Sequence, residues 1–428
     1  MKQRRHLVSA ICVLLIACSV PAQIAPKKQQ PDLDQLVEQR EYPELERVLP
    51  AASLDQLSRD YFEGVLANRR NELQGSIDLL QPLIPKLKAG NPHRAAVALR
   101  SLADDYVKMF RYAEADRSYG ELLSSYAGEY RAGDRQSLED DAKTVHLLKD
   151  APPQTVEMNG TFTLETHHSK VGTIDTNLTV AGVTNSWILD TGANFSVVIE
   201  SVAKKMGLKL SEGAAQTQGA SGAENSLHTA IIPEIKIGTA TVHNVVVLVM
   251  PDESINVDFG SGHYQIEAIV GYPVLSALGQ LTFTHDNHVV AGGGGEKSGS
   301  PIYMQQLNPL LQCGIEGRNL LLMFDTGADN TTLTAKYYRA FRSQFSGLTQ
   351  RKHGVGGAGG VKSVPAYVLP ELRIDAGGHT VTVKDVSVLT EALGSDADLL
   401  YGTVGRDLSD QFKSFTLDFK SMRFRLEK

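Results

Sequence analysis

Two carboxylates stand out because each opens the same short motif. Asp190-Thr191-Gly192-Ala193 and Asp325-Thr326-Gly327-Ala328 lie 135 residues apart in a chain of 428. Each follows an apolar run, Trp187-Ile188-Leu189 in the first copy and Leu320 to Phe324 in the second. An apolar strand that ends in Asp and then turns holds a carboxyl at the tip of a rigid element. The glycine allows a turn tight enough for backbone N–H groups to face that carboxyl. Two such tips, one from each copy, could do acid–base chemistry at one shared site. Adjacent carboxylates resist double ionisation and share a proton, so they titrate as a pair. The ionised member can then take a proton from a bound water while the protonated one polarises a carbonyl. A lone Asp-Thr-Gly is an ordinary turn signal; the second copy is what separates the two readings.

If the motifs mark a duplication, other landmarks must recur at the same offset. Gly219-Ala220-Ser221-Gly222-Ala223 precedes Gly354-Val355-Gly356-Gly357-Ala358 by 135 residues. Ile269-Val270-Gly271 precedes Thr403-Val404-Gly405 by 134, and Leu281-Thr282-Phe283 precedes Phe415-Thr416-Leu417 by 134. Solenoid units repeat every 20–50 residues or about that, so this is a duplicated domain. Clusters of β-branched residues, such as Val242 to Val249 and Val381 to Val388, alternate with Gly, Asn and Asp turns and predict strands. Short helices are expected from Glu200 to Met206 and from Ala335 to Phe345. Residues 155–290 and 301–428 are the two halves, and 291–300 reads as a flexible Gly/Ser linker that lets one half rotate against the other.

In these residues the region 155–428 resembles the retropepsin and pepsin group of aspartic peptidases. Leu322-Met323-Phe324-Asp325-Thr326-Gly327-Ala328-Asp329 is especially similar to a retroviral-type protease. Ile269-Val270-Gly271 and Thr403-Val404-Gly405-Arg406 resemble that family's second signature, with Thr403 a departure. The resemblance implies an all-β lobe per copy and Asp190 and Asp325 as the catalytic pair. It further implies that Thr191 and Thr326 lock the loops together, with Gly192 and Gly327 shaping the turns. Glycine-rich flaps over an extended peptide are implied around Gly219 and Gly222, and around Gly354 and Gly357. Many pepsin-like enzymes place a Ser after the motif glycine, where its hydroxyl favours the ionised carboxylate. Ala193 and Ala328 stand there in this chain, so the pair's values should be raised, and a weakly acidic optimum is expected. The neighbours Asn194-Phe195 and Asp329-Asn330 differ, so the lobes are expected to play unequal parts. This chemistry requires no metal or organic cofactor.

The amino-terminal third has another character. Lys2, Arg4 and Arg5 followed by the apolar Leu7 to Val20 read as a signal segment, 1–22, cleaved after Ala22. The apolar stretch is too short to span a bilayer comfortably. Leu15-Ile16-Ala17-Cys18 also resembles a bacterial lipoprotein box, which would leave Cys18 lipidated at a membrane; alternatively Cys18, like Cys12, is simply a small apolar residue of the signal. Both readings stay open, and both give an exported protein, periplasmic or secreted. Residues 31–150 show helical spacing. Gly64, Ser76 and Leu80 overlay Ala103, Ala115 and Tyr119 at a period of 39. The run Tyr106 to Tyr119 loosely resembles a tetratricopeptide helix pair, with a generic helical bundle as the competing reading. Its expected role is substrate presentation, partner docking or support of the first lobe.

Composition narrows the alternatives. The chain has 42 Lys+Arg against 49 Asp+Glu, a net of −7, or −10 without Lys2, Arg4 and Arg5. No basic block stands out, which argues against nucleic acid as a partner. Cys313 is the one thiol outside the signal, expected to be a packed core residue. His167-His168, His285 and His288 lack a His-Glu-x-x-His arrangement, and no Gly-x-Ser-x-Gly elbow occurs. The sequence therefore predicts a multidomain chain, an all-α helical-repeat-like domain followed by two all-β lobes, acting as an aspartic-type endopeptidase on peptide or protein substrates. The alternative is a non-catalytic envelope module in which degenerate lobes bind peptides and the helical repeat recruits partners.

Overall fold

A computed structural model describes residues 31–218, 224–259, 262–357, 360–393 and 399–428. The signal segment 1–22 with Cys18, and the flap glycines Gly219 and Gly222, lie outside the described residues. A helical region leads into a large β-rich region, as expected from the change in patterning.

Eight α-helices run from Leu33–Glu38 to Ala132–Leu148. Three starts are capped by side chains: Asp32 accepts from Asp34 and Gln35, Asp55 from Ser58, and Asn91 from Arg94. Three tight corners share one geometry. Arg40, Asn71 and Phe110 adopt left-handed backbone at φ 57, 64 and 57, where glycine would be the usual choice. The following N–H groups of Glu41, Glu72 and Arg111 return to Leu36, Ala67 and Tyr106 carbonyls at 2.9, 2.8 and 2.8 Å. The second and third corners are 39 residues apart, which is the period seen in the sequence; the first precedes the second by only 31. Gly64 is required by close packing, because a Cβ there would lie 2.6 Å from Leu80.

The helical core carries a polar knot. Asn68 Nδ2 donates to Asp104 and Asp105 at 3.1 and 2.7 Å, and Lys108 pairs with Asp104 at 2.9 Å. Asp105 has no exposed surface. Burial pushes its carboxyl up to about 7, with Lys108 opposing and Asp104 adding to the rise.

In the β-rich region one strand order occurs twice. The first sheet runs Ile174–Val180, Val183–Leu189, Ala268–Val270, Ser196–Ile199, Ala240–Met250, Glu224–Ile237, Ala215–Gln218. The second runs Asn308–Ile315, Arg318–Phe324, Gly402–Val404, Thr332–Leu333, His379–Leu389, Gly360–Ala376, Arg351–Gly357. The halves also share a sheet. Gln280–Thr284 pairs antiparallel with Ser414–Asp418, and Thr282 meets its repeat equivalent Thr416 with hydroxyls 2.9 Å apart. Phe283 stacks on Phe415 at 4.7 Å and 4°. Thr282 and Thr416 therefore sit on the pseudo-twofold axis.

This sharing corrects the expectation of a free linker at 291–300. The buried Asp418 carboxylate accepts from Gly295 and Glu296 N–H at 2.8 and 3.2 Å, and Gly292 N–H donates to Gln280 at 2.9 Å. Gly292 to Gly295 all have positive φ. These glycines are needed for a fixed left-handed path, not for looseness.

The helical region touches both halves. Tyr42 donates to Gln305 at 3.1 Å, Tyr401 donates to Glu41 at 2.6 Å, and Lys336 pairs with Glu41 at 2.9 Å. On the other side, Leu147 packs against Gly213, just before the strand Ala215–Gln218. Support thus extends beyond the first half.

The Asp105 carboxyl makes a testable contribution to stability. Its folded value lies above the unfolded one, so its contribution is full at low pH and is lost as pH rises from the ordinary 3.8 through about 7. Asp105→Asn keeps the acceptor for Asn68 and removes this titration. Its stability relative to the native chain should rise by on the order of 2–4 kcal/mol between about pH 5 and pH 8. Melting curves across that range check this; parallel curves would contradict it.

Candidate active site

The strands Val183–Leu189 and Arg318–Phe324 deliver the two motif aspartates. Each is held by a parallel neighbour, since Asp190 N–H donates to Val270 carbonyl at 3.1 Å and Asp325 N–H to Val404 at 3.2 Å. The apolar-apolar-Gly motif ends in glycine because the next chain passes too close. A Cβ on Gly271 would lie 2.5 Å from Phe195 backbone, and one on Gly405 2.7 Å from Asn330 backbone. One hydroxyl finishes each support: Ser196 accepts from Gly271 N–H at 3.2 Å and Thr331 from Gly405 N–H at 3.3 Å.

The loops are tied through Thr191 and Thr326, neither with exposed surface. Thr191 Oγ1 donates to Phe324 carbonyl at 3.0 Å, and Thr326 Oγ1 to Leu189 carbonyl at 2.7 Å. Each hydroxyl also accepts the other threonine's N–H, at 3.0 and 3.2 Å. Four reciprocal bonds thus cross between the halves.

Above this tie the carboxyls meet. Gly192 and Gly327 N–H groups donate to Asp190 and Asp325 at 2.8 Å each. A Cβ on Gly192 would fall 2.7–2.9 Å from the Asp325 carboxyl, and one on Gly327 3.0 Å from that of Asp190. The two carboxyls lie close enough to act on each other's ionisation. Both are partly buried. Burial and then the Asp325 charge raise Asp190 well above the usual carboxylate range. Burial raises Asp325 too, but the Asp190 hydrogen bond, the Gly327 and Ala328 N–H groups and Arg406 hold it back. Both carboxyls are thus shifted upward, as for a pair that shares one proton.

The six motif residues Asp190, Thr191, Gly192, Asp325, Thr326 and Gly327 are thus brought together. Gly354 and Gly357 lie on the hairpin Arg351–Gly357/Gly360–Ala376, opposite Ser363 and Gly360. Sequence reasoning missed the Asp329–Arg406 ion pair, whose first-half counterparts are Asn194 and Tyr272. It also missed Ser196 and Thr331, although their 135-residue offset was a usable signal. Cys313 is fully buried, its thiol pushed up by burial. A groove of ≈ 1450 Å³ lies away from the carboxyls, between the helical region and the second half, bordered by Glu41, Arg318, Lys336 and Tyr401.

Residues 176–274 match the family model described as aspartyl protease. The match covers the first motif and the strands around it. No curated protein matches the chain. The crystal structure of basic 7S globulin from soybean is similar at 12% identity, covering 63% of this chain and 94% of that one, with a TM-score of 0.39. So loose a superposition bears no weight here.

The threonine tie predicts a stability loss. Thr326→Val strands the buried Leu189 carbonyl and Thr191 N–H at nearly constant volume, and should cost about 2–4 kcal/mol in urea unfolding. Thr179→Val, at an exposed hydroxyl pair, should cost less than about 0.5 kcal/mol. Equal midpoints for the two variants would contradict the assignment.

Proposed function

We propose that the chain is an aspartic-type endopeptidase with one catalytic dyad, Asp190 and Asp325, shared between its halves. The observation that supports this most strongly is that two carboxyls from separate halves come close enough to raise one another above a shared threonine tie. In this reading Asp325 takes a proton from a water while Asp190 donates its own to the scissile carbonyl oxygen. The water oxygen adds to the carbonyl carbon. Collapse of that adduct breaks the C–N bond, with a proton passing to the departing nitrogen. Each glycine N–H holds one oxygen of its own carboxyl, and the threonine tie fixes the spacing of the two loops. An extended peptide would lie under the two flap hairpins, held through main-chain hydrogen bonds. The groove beside the helical region suits the docking of a protein partner, and export fits the signal segment.

Asp190→Asn and Asp325→Asn should each reduce peptide cleavage by about a thousandfold or more. If either variant kept the full rate, a shared dyad would be wrong. Peptide binding without cleavage by the native chain would favour the non-catalytic module instead.

The pH profile offers a second check. Cleavage needs Asp325 ionised, which fails as pH falls through its raised value, and Asp190 protonated, which fails as pH rises through its higher one. Both shifts are upward, so the active window moves toward weakly acidic pH. A profile peaking near about pH 2 would contradict this.

A further inference from the structure

A buried carboxylate outside the dyad has no counterpart in the second half. Asp175, 1% exposed, pairs across the sheet with Ile188, two residues before Asp190. At the equivalent position, opposite Met323, the second half places Leu310. Burying a carboxyl where a leucine would pack calls for a compensating role.

Its partners form a chain of short contacts. Asp175 accepts from Ser186 at 2.8 Å and from Thr173 at 2.7 Å, while the Thr173 and Ser169 hydroxyls are 2.7 Å apart. Tyr264 stands beside them, its hydroxyl raised by burial and then by the Asp175 charge. Ser169 closes a tight turn, accepting Val171 and Gly172 N–H groups at 3.2 and 3.0 Å. The tip of that turn crosses to the other half. A Cβ on Gly172 would sit 3.0 Å from Arg406 Nη2 and 3.1 Å from Asp329 Oδ1, while His168 Nδ1 stands 3.4 Å from Arg406 Nη1. Arg406 N–H in turn donates to Ala328 carbonyl at 2.9 Å, inside the Asp325 loop. The equivalent turn of the second half is engaged elsewhere: Gln305 and Gln306 bond to Tyr42 and Asp141 of the helical region.

We infer that Asp175 is a positioning residue for the cleavage reaction. Through Thr173 and Ser169 it fixes the Ser169–Thr173 turn over the Asp329–Arg406 pair, and so keeps the Asp325 loop in register with Asp190. The inference rests on the peptidase reading and adds to it a device acting on one side of the cleft only.

Three variants test it: Asp175→Leu, which installs the second half's residue, Thr173→Val, and Asp175→Asn, whose amide oxygen still accepts from Thr173. The first two should lower kcat by about tenfold to a hundredfold with KM changed less than about twofold, and Asp175→Asn should stay within about threefold. Hydrogen exchange at Val171 and Gly172 should quicken in the first two and not in the third. A loosened turn with unchanged kcat would overturn the positioning role while leaving the peptidase standing. Activity lost only in step with melting temperature, in all three variants, would reduce Asp175 to a structural residue. Absence of cleavage by the native chain, with Asp190→Asn as the blank, would sink both readings together.

Discussion

Two threonine hydroxyls at the junction of the halves are the constraint on which the rest depends. Each is buried, and each donates to a carbonyl on the opposing strand while accepting the opposing N–H. None of these groups can turn to water, so breaking the tie leaves several buried polar atoms unpaired at once. The carboxyls above it are held close against their mutual repulsion. A second pin lies on the same axis, where Thr282 meets Thr416 and Phe283 stacks on Phe415. Gly295 and Glu296, bound through their N–H groups to the buried Asp418, close the frame.

On this symmetric frame the chemistry is unsymmetric. The second half flanks its aspartate with Asp329 and Arg406, whereas the first has Asn194 and Tyr272 at those places. Arg406 favours ionisation of Asp325, and nothing of like charge stands at the first-half position. A proton shared by a perfectly symmetric pair would have no preferred owner. In the proposed reading this difference makes Asp190 the acid and Asp325 the base.

The repeated strand order and the meeting of the two motif loops were legible in the sequence because covalent order records them. Motifs such as Asp190-Thr191-Gly192 and Ile269-Val270-Gly271 carry their geometry in adjacent residues, and a constant offset exposes their copies. The period of 39 was likewise visible, as the spacing of two identical helix corners at Asn71 and Phe110. What escaped notice depends on partners far apart in the chain. Asp175 looks like any polar strand residue until Thr173, Ser186 and Tyr264 are seen around it. Asp329 meets Arg406 across 77 residues. The run Gly292 to Gly295 has the composition of a loose tether, and only the distant Asp418 reveals that its positive φ angles are fixed.

The central claim is that one proton is shared by two carboxyls, and carboxyl titration by NMR tests it most directly. With aspartate labelled at its side-chain carboxyl carbon and the two Asn variants used for assignment, Asp190 should remain protonated well beyond the ordinary aspartate value of about 3.9. Asp325 should ionise first, and replacing either aspartate should change the titration of the other. Two carboxyls ionising independently in the ordinary range, each indifferent to loss of its neighbour, would contradict the account.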